Sequence, residues 1–176
     1  MKKDLLIVID MQNDFIDGPL GTPEARVMTP HLAEFIKNFK GHILATMDTH
    51  KDNYLETLEG KKLPVKHCIM ATEGWNINNS IMHALMTNEG FMEFIHKPTF
   101  GSFALIDKVA DILKDIDTIK ICGLCTDICV ASNALILRAA FPDTPIFVLE
   151  DLCAGVTPES HEAALTTMKM CQIEVI

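Results

Sequence analysis

Residues 118–141, TIKICGLCTDICVASNALILRAAF, constrain the fold more than any other stretch of the chain. An apolar segment with β-branched residues (Thr118, Ile119, Ile121) breaks at Gly123 and passes into a run of Ala, Leu, Ile and Val that reads as a buried helix. A strand that feeds directly into a helix has to fold back onto its own sheet, so strand–helix units are expected throughout. The turn between the two elements carries the chemistry. Thr126 or Asp127 is placed to cap the helix, which puts Cys129 in the first turn. There, unpaired backbone N–H groups and the positive helix end favour a thiolate. On this stretch alone, Cys129 reads equally as a nucleophile and as a small buried hydrophobe.

The rest of the chain repeats the pattern. DLLIVID (Asp4 to Asp10) is a short continuous apolar run ending in a carboxylate, as a parallel strand buried on both faces requires. Leu32, Phe35, Ile36 and Phe39 recur at helical spacing from Pro30 until Gly41 stops the run, and HILATMD (His42 to Asp48) reads as the second strand. Residues 51–76 show no sustained period and are long for a connection, which suggests a lid or binding segment. A helix over Ile77 to Asn88 leads to a third strand, FMEFIHK (Phe91 to Lys97), ended by Pro98. Another helix, with Leu105, Val109, Ile112 and Leu113 on one face, precedes the strand at Thr118. A strand from Pro145 to Glu150, a helix beginning near Pro158 to Glu159 and a closing strand from Gln172 to Ile176 complete the chain. Strict alternation predicts an α/β fold: a three-layer α/β/α sandwich with a six-stranded parallel sheet and right-handed crossovers, in the common order 3-2-1-4-5-6.

At 176 residues, 48% of them hydrophobic, one domain spanning residues 1–176 suffices. A formal net charge of −9 argues against nucleic acid and against an anionic membrane surface as partners. Six cysteines could be read as disulfides. However, the apolar run between Asp4 and Asp10 is too short for a secretory segment, and no stretch approaches the ~20 apolar residues of a membrane span. A cytoplasmic protein with reduced thiols is the expectation.

Ligands of open α/β sheets bind beyond the carboxyl ends of the strands, where strand order reverses. Asp10, Asp48 with His50, Lys97, Cys125 to Cys129 and Asp151 all fall at such ends. In the order 3-2-1-4-5-6, Asp10 and Cys129 lie side by side, a nucleophile with a base, and Lys97 approaches so that its charge can keep Asp10 ionised. Alone, Asp10 reads as a turn residue and Lys97 as a solvated charge. Together with a thiol they form a set suited to nucleophilic attack on a carbonyl. Asp48 and His50, two apart, point to one side of an extended segment, and His67 is the candidate third ligand. Two His and one carboxylate suit a divalent metal, zinc in the first place, with iron or manganese as alternatives. Among the seven histidines, His31, His42 and His161 read as surface or helix-end residues. Cys122 and Cys125 do not read as a redox pair, because Cys122 sits inside the strand.

VIDMQNDF (Val8 to Phe15), D-T-H (Asp48 to His50), H-C at His67, K-P-T (Lys97 to Thr99) and G-L-C-T-D-I-C-V (Gly123 to Val130) together resemble the isochorismatase-like cysteine hydrolases, and within them the nicotinamidases. The resemblance covers nearly the whole chain. It implies a catalytic triad of Asp10, Lys97 and Cys129 and a metal site of Asp48, His50 and His67. It also implies a non-proline cis peptide at Leu124–Cys125, and an oxyanion hole from the backbone N–H groups of Cys125 and Cys129. The isochorismatase branch lacks the cysteine, so Cys129 speaks against vinyl-ether hydrolysis.

The chain departs from the nicotinamidases around the substrate. These enzymes usually follow D-x-H with Pro, a further His and an S-F pair, and carry a Trp shortly before the third metal ligand. Here the segment is KDNYLETLEGKKLPV. Phe15 matches the family's pocket aromatic, Tyr54 or Phe100 is expected to supply the missing wall, and Ile128 stands where Tyr is frequent. The implied function is a cysteine amidohydrolase that releases ammonia from a small carboxamide, nicotinamide to nicotinate, through a thioester. Another small amide or carbamoyl substrate is the enzymatic alternative, and a metal- or thiol-binding protein the non-enzymatic one. The expected partners are the small amide and further copies of the same chain.

Overall fold

Leu5, Leu6, Ile7, Val8 and Ile9 are all buried. The first strand is therefore covered on both faces, which places it in the middle of the sheet. The structure, a computed structural model, describes residues 3–176; the first two residues of the expected domain lie outside the described residues. In chain order the elements are β1 (Lys3–Ile9), α1 (Asn13–Ile16), α2 (Pro23–Asn38), β2 (Gly41–Asp48), α3 (Leu58–Lys62), α4 (Asn79–Thr87), β3 (Phe91–Lys97), α5 (Phe103–Ile112), β4 (Ile116–Leu124), α6 (Ala131–Ala140), β5 (Ile146–Ala154), α7 (Pro158–Met170) and β6 (Glu174–Val175).

Among the described residues the strands form one six-stranded sheet, all parallel, in the order β3-β2-β1-β4-β5-β6. Helices α2 and α4 pack against each other, whereas α5, α6 and α7 form a second contiguous group. Right-handed crossovers put these groups on opposite faces, because strand order runs one way from β1 to β3 and the other way from β4 to β6. Register then brings the site together. Asp48 pairs with Lys97 across β2 and β3, and Ile9 with Gly123 across β1 and β4. Gly123 has φ +116°, and a Cβ there would overlap the carbonyl oxygen of Ile9, so only glycine lets β4 lie this close to β1.

Several boundaries differ from the sequence reading. Helix α2 begins at Pro23, because Thr22 caps it by accepting from the Ala25 N–H (3.1 Å) and proline is well tolerated in the first turn. Pro30, expected to open this helix, lies inside it. Residues 51–76, expected without regular structure, hold a 3₁₀ turn at Tyr54–Glu56 and helix α3, which Thr57 caps through the Gly60 N–H (3.0 Å). Strand β5 runs on through an irregular register to Ala154, where Cys153 and Ala154 pair with Gly123 and Leu124. Asp151, expected at the end of that strand, is thus an exposed residue within it and takes no place in the site. No helix among the described residues is long and apolar enough to cross a membrane.

Candidate active site and metal centre

Where β1 ends, Asp10 turns the chain with φ 47°, a conformation aspartate tolerates better than most residues. Its carboxylate is completely buried. Thr46 Oγ1 donates to Asp10 Oδ1 at 2.6 Å, and Asp10 Oδ2 lies 2.6 Å from Lys97 Nζ. Beyond that ion pair Oδ2 has no aligned hydrogen-bond donor among the described residues, so it retains capacity to accept a proton. Lys97, only 1% exposed, is no solvated charge. Its ammonium also donates to Cys129 Sγ at 3.4 Å and to the Thr99 carbonyl at 3.1 Å, and lies 3.6 Å from Asp48 Oδ1. One cation therefore touches a carboxylate, a sulfur and a second carboxylate.

These groups perturb one another. Burial pushes Asp10 up; Lys97 opposes that rise and Asp48 adds to it, and the balance stays above the ordinary carboxylate range. Burial alone would lower Lys97, but Asp10, Cys129 and Asp48 more than offset it and hold the ammonium charged. The Cys129 thiol is raised well above its ordinary value, first by burial and then by Asp10, with Lys97 opposing. The helix end alone was expected to favour a thiolate at Cys129. Burial outweighs it, so the resting sulfur is a thiol that needs a base.

The nucleophile turn also differs from its expected form. Thr126–Val130 is a single π-helical turn leading into α6, with Cys125 at its N-cap. Neither Thr126 nor Asp127 caps it. Thr126 Oγ1 instead hydrogen-bonds His161 Nδ1 at 2.8 Å, and the Asp127 carboxylate accepts from the Val156 N–H at 3.1 Å. Asn133, fully buried, fixes the turn from behind: it donates to the carbonyls of Cys129 (2.7 Å) and Phe100 (3.0 Å) and accepts from the Ser102 N–H (3.0 Å). The Leu124–Cys125 peptide is cis.

Asp48, His50 and His67 are buried together, with their donor atoms within 4.8 Å of one another. Asp48 Oδ2 lies 2.9 Å from His50 Nε2 and 3.6 Å from His67 Nε2. His67 Nδ1 must carry its proton, because it donates to the Val65 carbonyl at 2.8 Å, and this leaves the Nε2 lone pair facing Asp48. His50 Nε2 is buried without a hydrogen-bond partner among the described residues. Ligands of a tetrahedral zinc stand roughly 3.4 Å apart, given bonds of ~2.1 Å, so the donor set and its spacing fit a divalent ion. Burial opposes ionisation of Asp48, but the close imidazoles of His50 and His67 and the charge of Lys97 hold it well below the usual carboxylate range.

Four residues that the sequence reading passed over support the site. Glu59 Oε1 faces His50 Nε2 (3.5 Å) and His67 Nε2 (3.7 Å) from α3. Thr46 orients Asp10, as described above. Asp14 Oδ2 accepts from the Cys68 N–H at 2.7 Å and so fastens the segment that carries His67. Gln12 is fully buried; its side chain donates to the carbonyls of Asp48 (2.8 Å) and Trp75 (2.9 Å) and accepts from the Asp48 N–H (2.7 Å). Thr46, Asp14 and Gln12 act across long sequence separations, whereas Glu59 reaches histidines eight and nine residues away; only Gln12 and Asp14 fall within the motif Val8–Phe15. Gln12→Leu strands both backbone groups of Asp48, each unpaired buried group costing about 1–3 kcal/mol. We expect a lower melting temperature and weaker metal retention, read by calorimetry and metal analysis. An unchanged metal content would make Gln12 a fold residue only.

A cavity of about 570 Å³ opens above the thiol. Phe15, Leu20, Leu58, Leu63, Phe100, Ile128 and Val156 line it, together with Cys125, Cys129, Asp48, Glu59 and His67. Phe15 and Phe100 thus lie where a pocket wall was expected, but Tyr54 does not. The Tyr54 ring is fully buried behind the metal ligands, 4.7 Å from the His50 ring and 4.9 Å from the His67 ring, and its hydroxyl donates to the Leu63 carbonyl at 3.0 Å. Burial and nearby Glu59 push that hydroxyl up to about 12. It braces the histidines instead of meeting a ligand.

A nicotinamidase/pyrazinamidase of Mycobacterium tuberculosis is 27% identical to this chain, over 97% of each sequence. A nicotinamidase of Schizosaccharomyces pombe is 25% identical, over 97% of this chain and 91% of its own. Among solved structures, the pyrazinamidase of Pyrococcus horikoshii in complex with zinc superposes with a TM-score of 0.80 at 26% identity, covering 99% of this chain and 98% of that one. The model of the isochorismatase domain matches residues 4–176, and with this sheet order and a buried aspartate, lysine and cysteine at its switch point, the chain belongs to the isochorismatase family.

Proposed function

We propose that the protein is a cysteine amidohydrolase that converts nicotinamide to nicotinate and ammonia. The observation that carries this reading is Lys97 Nζ in contact with both Asp10 Oδ2 and the Sγ of Cys129, a residue that lines a cavity. A metal- or thiol-binding protein would have no use for that buried ion pair.

In the reaction Asp10 takes the Cys129 proton, and the thiolate attacks the carboxamide carbon. The backbone N–H groups of Cys125 and Cys129 hold the oxygen as it gains charge. Protonated Asp10 passes its proton to the departing nitrogen, ammonia leaves, and a thioester remains on Cys129. Asp10, again ionised, then deprotonates a water that attacks the thioester; nicotinate departs and the thiol is restored. Lys97 keeps a positive charge beside both groups through these steps.

Asp48, His50 and His67 would hold a divalent metal, zinc foremost and iron or manganese as alternatives, with Glu59 close enough to add a fourth donor. When bound, such an ion supplies a Lewis-acid contact for a ring nitrogen or a water. Phe15 and Phe100 offer ring faces to the substrate. We also place the protein in the cytoplasm, a setting that its six unpaired thiols support.

Ammonia release from a panel of carboxamides, with and without chelator, tests the reading. Nicotinamide should be turned over and chelator should slow it; no release from any amide would overturn the assignment. His67→Ala should lower bound metal by at least about ten-fold, since losing metal-site contacts costs factors of 10–100 in affinity. Full occupancy in that variant would remove His67 from the site.

A further inference from the structure

The cavity is larger and greasier than a single pyridine ring calls for. Its 570 Å³ falls within the range that encloses drug-sized ligands. A single pyridine carboxamide held at Cys129 Sγ occupies only part of that volume. The apolar lining includes Leu58, Leu63, Phe100, Ile128 and Val156. Four of these keep much of their apolar surface in water: Leu58 is 72% exposed, Val156 52%, Phe100 45% and Leu63 36%. Scattered exposed apolar residues are ordinary, whereas several converging on one concave mouth mark a binding surface. Ile128, next to the nucleophile in the chain, adds an aliphatic side chain to this wall. The charged or metal-directed side chains of the lining are Asp48, Glu59 and His67, which face one another around the metal centre, and the exposed Lys62.

We propose that this site takes carboxamides that carry an uncharged apolar extension beyond the amide-bearing ring, such as a second ring, which lies against Leu58, Phe100, Ile128 and Val156. The inference rests on the amidohydrolase reading and names the substrate class within it. The covering group is assigned to the substrate because the apolar wall is continuous with the nucleophile. A group tethered to an amide at Cys129 has to pass along it, and burying that wall is favourable in proportion to the apolar area removed from water.

Quinoline-3-carboxamide, 5-phenylnicotinamide and 6-phenylnicotinamide send a second ring along three directions from the same amide. At least one should exceed nicotinamide in kcat/KM by on the order of ten-fold, the discrimination a well-filled apolar pocket achieves. Leu58→Ser removes exposed wall with little consequence for folding, and should reduce the ratio of extended to simple substrate about five-fold or more. Ile128→Tyr should reduce the same ratio by narrowing the cavity. Turnover of nicotinamide with all three extended amides slower would overturn this proposal and leave the amidohydrolase reading standing. No turnover of any amide would remove both. Slower extended amides together with a dimer that Leu58→Ser dissociates would assign the rim to a second copy of the chain, again overturning it.

Discussion

Cys129→Ala should abolish amide hydrolysis, lowering kcat by at least ~10⁴-fold, as loss of an attacking atom does in other covalent hydrolases. Cys125→Ala should stay within about five-fold of the parent, because the role proposed for Cys125 is its backbone N–H, which survives the substitution. The two sulfurs are close in sequence and both face the cavity, so exposure does not distinguish them. Burial pushes the Cys125 thiol up to about 12, and Cys129 is also raised well above its ordinary value. Judged by these alone, neither sulfur would react at neutral pH. Cys129 differs in its neighbours: the Lys97 ammonium at 3.4 Å stabilises a thiolate there, and Asp10 Oδ2, 2.6 Å from the same nitrogen, can take the proton. Iodoacetamide should therefore label Cys129 and spare Cys125, and Asp10→Asn should suppress the labelling. Mass spectrometry of the modified peptide decides it. Preferential labelling of Cys125, or an active Cys129→Ala variant, would make the nucleophile assignment wrong.

Lys97→Met keeps the length of the side chain and deletes its charge, and it should move the acid limb of the kcat/KM profile to higher pH. Asp10 accepts a proton only when ionised. In the native protein burial raises its pKa and the Lys97 ammonium restrains the rise. Without that charge the carboxyl rises further, so the base is lost at a higher pH. The Cys129 thiol loses a stabilising cation as well, and a fall in kcat/KM on the order of 10²–10⁴-fold follows from losing both effects. Stability should respond with a definite sign. Breaking a buried ion pair costs on the order of 3–5 kcal/mol when the remaining charge is uncompensated, but Asp10 can avoid this by staying protonated. Its folded pKa in the variant lies further above the unfolded ~3.9. The variant's stability is therefore fully present below the unfolded value and is lost as pH rises through the folded one. Melting curves across pH should show the variant closest to the native protein in acid. An unchanged profile with an unchanged rate would reduce Lys97 to a structural residue.

The order of elements and the parallel sheet were readable from the chain because each depends on local pattern, whereas the reversal between β1 and β4 was expected only as the common order for such folds and is fixed by tertiary pairing. Continuous apolar runs such as Leu5–Ile9 can only be buried on both faces, and alternation with helical periods leaves parallel crossovers as the connection. The same logic placed Asp10, Asp48, His50, Lys97 and Cys129 at one edge, since strand ends follow from where the runs stop. Interactions that join distant segments could not be read this way. Gln12 clamping Asp48, Asp14 holding the segment of His67 and Asn133 tying the nucleophile turn to Phe100 and Ser102 leave no periodic trace, because hydrogen-bonding partners are chosen by tertiary approach and not by spacing. Boundaries shifted for a related reason. Strand β5 extends past Glu150 because β4 offers partners for Cys153 and Ala154, and that extension carries Asp151 away from the site. Tyr54 shows how far residue type alone reaches: it was expected as a wall of the substrate pocket, but packing turned its ring behind His50 and His67 and left the cavity to Phe15, Phe100 and aliphatic side chains. The ionisation of the triad is likewise a tertiary property. A helix end suggests a thiolate, whereas the burial that raises Cys129 and Asp10 exists only once the sheet, the turn and α6 have closed over them.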